Sequence, residues 1–222
     1  MKRITIFAGH YGSGKTNVAV NYALGIAGEG KKVSLSDLDI VNPYFRSKDS
    51  EKLLRDAGIR FISSEYANSN VDVPALPPEA YAVTADKTAF AVVDVGGDDR
   101  GALALGRYVP DILAENSYEM LFVINKFRPL TRDAASTVEV MREIEQAAKI
   151  KFTGIVNNSN LGDETTAEDV IASLDYAEQV SAATGLPIKF TSVHYTLAPQ
   201  LDGKIPDIFP IKLYIRQSWG TV

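Results

Sequence analysis

Residues Gly9-His10-Tyr11-Gly12-Ser13-Gly14-Lys15-Thr16 constrain this chain more than any other stretch. They follow a short apolar run, Ile4 to Ala8, and open an Ala-rich segment, Lys15 to Gly28, that predicts a helix. The pattern G-x-x-x-x-G-K-[ST] between a strand and a helix is a cradle for phosphate groups. Glycines carry no Cβ, so the backbone can wrap close to an anion. Successive N–H groups and the helix N-terminus then present partial positive charge to it. In that setting Lys15 reaches the β- and γ-phosphates and the Thr16 hydroxyl ligates Mg²⁺. Asn17, next on the helix, joins the same candidate set.

Around this loop the chain alternates strand-like and helix-like segments, the pattern of an α/β domain. Strands are predicted at Ile4–Ala8, Val33–Ser36, Phe90–Val95, Met120–Ile124, Thr153–Asn157 and Ile188–Val193. Such continuous apolar runs suit a mostly parallel, twisted sheet covered by helices on both faces. Helices are predicted at Lys15–Gly28, Arg132–Lys149 and Thr165–Thr184, the last with Thr165 and Glu168 as a capping box. Ser63–Pro78 reads as a surface excursion, and the tail 198–222 as an irregular segment packed on the domain. A length of 222 residues fits one domain, 1–222.

Composition narrows the partners. The net charge of −5 disfavours nucleic acid or an anionic membrane as a partner of the whole domain. The chain has no cysteine, which excludes disulfides, thiolate metal sites and a cysteine nucleophile. No apolar run approaches the 18 residues of a membrane span and none resembles a signal core, so the expectation is a cytoplasmic protein.

Carboxylates complete the candidate site. The second strand delivers Asp37 and Asp39 to its carboxyl end, where ligands bind in open α/β sheets. Two carboxylates there can hold Mg²⁺ and polarise a water. Phe90–Val95 delivers Asp94 as a further metal candidate, followed by Gly96 and Gly97. Gly97 would let the backbone approach a γ-phosphate and move when it leaves.

The loop, Asp37-Leu38-Asp39 and Asp94-Val95-Gly96-Gly97 together resemble the MinD/ParA/nitrogenase iron protein group of SIMIBI-class P-loop ATPases. Gly154-Ile155-Val156-Asn157-Asn158-Ser159 resembles the segment by which nitrogenase iron proteins hold adenine. The resemblance covers about Met1 to Thr165. It implies that group's fold, ATP with Mg²⁺, and a homodimer formed face to face around the nucleotide. It also implies Lys15 and Asp39 as catalytic residues, and a base contact at Asn158 with Asn157 second.

Two departures matter. Members of the group usually carry a lysine at the second position of the loop, where this chain has His10, followed by Tyr11 where glycine is common. Arg46, Arg100 and Arg128 are the candidate replacements for that cation. By the same resemblance Asn42-Pro43-Tyr44-Phe45-Arg46 occupies the first switch. Pro43 stiffens that loop, and Tyr44 and Phe45 point to opposite sides of an extended segment. Asn125-Lys126-Phe127-Arg128 lies on the same rim.

Two classes of function follow. The first is an ATP/ADP switch acting on a client protein. The second is a small-molecule kinase or carboxylate-activating enzyme, similar to dethiobiotin synthetase and cobyrinate amidase, with Arg46, Arg100, Arg107 and Arg128 forming its acid pocket.

Overall fold

A computed structural model describes residues 1–38, 48–63, 82–97 and 99–214. The strands are β1 Ile4–Ala8, β2 Val33–Leu38, β3 Arg60–Ser63, β4 Phe90–Val95, β5 Tyr118–Ile124, β6 Gly154–Asn157, β7 Ile188–His194 and β8 Ile208–Ile211. They form one sheet in the order β3-β2-β4-β1-β5-β6-β7-β8, and every described pairing is parallel. The expected α/β sheet is present, and it is wholly parallel among these strands.

Helices cover both faces: α1 Lys15–Gly28, α2 Lys48–Asp56, α3 Ala82–Ala85, α4 Asp99–Gly106, α5 Val109–Glu115, α6 Ala134–Ala148, α7 Ala167–Ala172, α8 Leu174–Thr184 and α9 Ala198–Leu201. On one face Phe7, Leu35, Val92, Leu121 and Val156 pack against Val18, Ala19, Ala23 and Ile26 of α1. On the other, Ile6, Val93, Phe122 and Ile155 pack against Leu105 of α4, Met141 of α6 and Val180 of α8. Each of these Val, Leu, Ile, Phe or Met side chains removed from water contributes about 1.5–3 kcal/mol.

Three expectations are corrected here. The segment predicted as one helix over Thr165–Thr184 is α7 and α8, divided at Ser173, whose Oγ donates back to Val170 O at 2.7 Å. Its capping box is Thr166 with Asp169, one residue on from the expected pair. Thr165 Oγ1 is already committed to Leu161 N and Gly162 O. The tail expected to be irregular contains α9 and the edge strand β8. Pro210 is compatible with β8 because an edge strand has one side without ladder hydrogen bonds.

The strand order positions the site. From β1 the chain moves two places outward to β2, and β4 later fills the gap beside β1. The next strand, β5, lies on the other side of β1. The carboxyl end of β1 is therefore a topological switch point, where open parallel sheets leave a crevice.

Candidate functional site

The Gly9–Thr16 loop occupies that crevice. Gly14 has φ +84°, a conformation that suits glycine, and an added Cβ would run into the Asn158 amide. It is the N-cap residue of α1, which has no side-chain cap and no acidic residue in its first turn. By contrast, Asp133 caps α6 and the Thr166–Asp169 pair caps α7. A helix N-terminus with neither a side-chain cap at its N-cap residue nor an acidic first turn is a ready anion site.

Lys15 is 6% exposed and donates to His10 O at 3.4 Å. Thr16 is half-buried at the start of α1. The His10 ring pairs with its neighbour's carbonyl, Nδ1 to Tyr11 O at 2.9 Å, and Tyr11 is exposed at the rim. Gly97 abuts the loop: an added Cβ would stand 2.6 Å from Tyr11 N and 3.0 Å from Lys15 Nζ.

Asp37 and Asp94 are opposite partners in the β2–β4 ladder. Alternation along the strands puts both on the α1 face, with Leu35 and Val92. Both are buried. Two adjacent carboxylates and the Thr16 hydroxyl are hard oxygen donors of the kind Mg²⁺ takes. Among the described residues no cluster of three or more His, Asp or Glu side chains converges on a metal position. Asp39 and the switch residues Asn42, Pro43, Tyr44, Phe45 and Arg46 lie outside the described residues, as does the side chain of Arg100.

The two asparagines diverge. Asn157 falls on the α8 face, where its Nδ2 donates to Ser173 Oγ at 2.9 Å and its Oδ1 accepts from Ser159 Oγ at 2.7 Å. Asn158 turns to the loop instead: Nδ2 donates to Ser13 O at 2.6 Å, and Oδ1 accepts from Ser192 Oγ at 2.7 Å. Both are buried.

Arg128 also reaches the loop, Nε donating to Gly12 O at 2.8 Å. Burial lowers its pKa, although a guanidinium stays charged throughout the physiological range. Arg107 is elsewhere. It follows Gly106, which packs beside the Ala147 and Ala148 carbonyls where α6 ends, before the start of β6. That is the opposite end of the sheet, roughly 12 Å along α4 from its start. The acid pocket expected from Arg46, Arg100, Arg107 and Arg128 therefore does not include Arg107.

One participant was missed from the sequence: Ser192 is a strand-internal serine with no motif around it. Asn125, expected on the rim, is instead fully buried and ties the β5 end to Phe127 N and Asn160 N, whose N–H groups donate to its Oδ1.

No protein-family model and no curated protein sequence matches the chain. Solved structures do. FtsY from the chloroplast of Physcomitrella patens superimposes with a TM-score of 0.58 at 19% identity, covering 86% of this chain and 58% of that one. FtsY from Thermotoga maritima gives 0.58 at 20% identity, with 86% and 61% covered. The shared feature is the fold, a parallel α/β sheet with helices on both faces. FtsY from Mycoplasma mycoides gives 0.53 at 18% identity, with 86% and 59% covered. The chain thus spans about 60% of the length of the FtsY chains it matches. At such identities the likeness carries the fold alone. No helix among the described residues is long and apolar enough to cross a membrane.

Proposed function

We propose that this protein binds a Mg²⁺-nucleoside triphosphate in the Gly9–Thr16 loop and acts as a slow, nucleotide-dependent switch on a client protein. The observation that carries the reading is Gly97 against Tyr11 and Lys15. A γ-phosphate gripped by Lys15 bears directly on the segment that follows β4. Its loss on hydrolysis releases that segment, the motion P-loop switches use.

Lys15 binds and orients the terminal phosphates. Thr16, Asp37 and Asp94 are the residues that would hold Mg²⁺, which when bound neutralises charge on the phosphate oxygens. Asp39 is the carboxylate proposed to orient the attacking water. ATP is the proposed nucleotide on the resemblance to the MinD/ParA group. GTP is the comparison to test, because the phosphate loop binds the part that ATP and GTP share. The same resemblance supports a nucleotide-dependent homodimer, with Asn42–Arg46 as the surface offered to the client. His10 stands where that group has its lysine, and Arg128 is a candidate replacement in contact with the loop among the described residues.

The test measures binding of Mg-ATP and Mg-GTP, oligomeric state and hydrolysis for the wild type and Lys15→Ala. Micromolar binding of one nucleotide is expected, with turnover on the order of one per minute or slower. Lys15→Ala abolishes both. If neither nucleotide binds the wild type, the proposal is lost. Rapid turnover on addition of a small carboxylic acid would favour the carboxylate-activating enzyme instead.

A further inference from the structure

The carbonyls of the phosphate loop are gripped from outside the loop. Gly12 O accepts from Arg128 Nε at 2.8 Å, and Ser13 O accepts from Asn158 Nδ2 at 2.6 Å. Inside the loop, His10 O accepts from Ser13 N at 3.1 Å and from Lys15 Nζ at 3.4 Å. In a trans peptide the C=O and the following N–H point in opposite directions. The bond to Ser13 O therefore turns the Gly14 N–H away from Asn158. The bond to Gly12 O turns the Ser13 N–H toward His10 O, closing the turn.

Asn158 is itself immobilised. Its backbone N donates to Ile124 O at 2.9 Å, and its backbone O accepts from Asn160 Nδ2 at 2.7 Å. The orientation of its amide is decided by its neighbours. Ser13 O can only accept, so the group facing it is the NH₂, and the other end takes the Ser192 hydroxyl. With both ends of the amide committed and 2% of the residue exposed, Asn158 presents the loop, and not solvent, with its donor.

We propose that Asn158 is a positioning residue for the phosphate loop and not a reader of the base. Ser192 sets its orientation, and Arg128 holds the neighbouring carbonyl. The proposal rests on the reading of Gly9–Thr16 as a nucleoside triphosphate site. Its ligand is the polyphosphate moiety that every nucleotide shares. A loop whose peptide planes are set before binding avoids the ordering cost at the moment of binding.

Calorimetric titration with Mg-tripolyphosphate, which has no base, separates the two roles, with Mg-ATP and Mg-GTP run alongside. The variants are Asn158→Ala, Asn158→Asp and Ser192→Ala, with thermal unfolding as the check on folding. Removing one such hydrogen bond weakens tripolyphosphate and nucleotide alike, by about tenfold. Asn158→Asp keeps the shape but turns an acceptor on the Ser13 carbonyl, so its loss equals or exceeds that of Asn158→Ala. Ser192→Ala gives a smaller loss, again equal for all ligands, and carries the test if the Asn158 variants do not fold. Loss of nucleotide affinity with tripolyphosphate binding intact would overturn the proposal, as would unchanged affinity for every ligand. A wild type that binds tripolyphosphate and nucleotide upholds the site reading whichever way the variants fall. A wild type that binds neither refutes the site reading itself.

Discussion

Asp37 and Asp94 stand opposite one another in the β2–β4 ladder, both buried on the α1 side of the sheet. Two neighbouring carboxylates are oxygen donors of the kind Mg²⁺ takes. A nucleotide at 100 times its Kd stabilises its protein by about 2.7 kcal/mol. In a domain of this size that raises Tm by roughly 5–10 °C. We expect Mg²⁺ to supply most of this shift in the wild type. Asp37→Asn and Asp94→Asn should each remove the difference between melts run in Mg²⁺ and in EDTA. Variants that keep the full difference would show that these carboxylates do not serve the metal.

Gly97 has no room for a side chain. A Cβ there would stand 2.6 Å from Tyr11 N and 2.7 Å from Tyr11 Cα, both backbone atoms that cannot swing aside. Gly97→Ala is expected to push the β4 end off the loop at a cost of about 1–3 kcal/mol in stability. Nucleotide affinity should fall at least tenfold. Calorimetry and chemical unfolding measure the two effects, and a variant with normal affinity would remove Gly97 from the site.

Asn157 and Ser173 form a separate, buried pair on the far face. Ser173→Ala leaves the Asn157 amide without its Ser173 acceptor, which costs about 1–3 kcal/mol, or several degrees in Tm. Nucleotide and tripolyphosphate affinities should be unchanged, because Asn157 does not face the loop. A drop in nucleotide affinity at constant stability would reinstate Asn157 as a base contact.

Arg3 joins the start of β1 to its surroundings. Its guanidinium is paired with Glu115 and donates to the carbonyls of Val83, Asp86 and Ala89. The Arg3 hydrogen bond is the chief cause holding the Glu115 carboxyl at about 2, below its ordinary 4.5. A depressed pKa means that the stabilisation is fully present above pH 4.5 and is lost as pH falls toward 2. After allowance for solvent screening it amounts to about 1–2 kcal/mol. Glu115→Gln should be less stable than the wild type at pH 6, and the gap should close by pH 2 in urea unfolding. A gap that does not change with pH would refute the assignment.

Much of the architecture was legible in the residues. β1 and β4 have the bounds their apolar runs predict, because strands buried on both faces show as unbroken hydrophobic sequence. The edges were not. β3 begins at Arg60 and β8 contains Pro210, and a four-residue edge strand needs neither alternation nor a continuous apolar run. The break at Ser173 was hidden because apolar spacing continues across it, from Val170 to Tyr176, Ala177 and Val180.

For the site, local sequence determined the loop, since glycine spacing and a strand–loop–helix setting are enough to shape an anion cradle within eight residues. Sequence also determined that Asp37 and Asp94 come at strand ends. Only the tertiary structure decided that these two carboxylates share a row, because register between β2 and β4 depends on pairing across more than fifty residues. It likewise decided that adjacent asparagines serve opposite faces of one sheet. Asn157 still follows the alternation of β6 and points to α8, whereas Asn158, one residue past the strand, turns to Ser13. Spacing along a chain cannot distinguish them. The partners that do, Ser173 and Ser192, come from other elements of the fold.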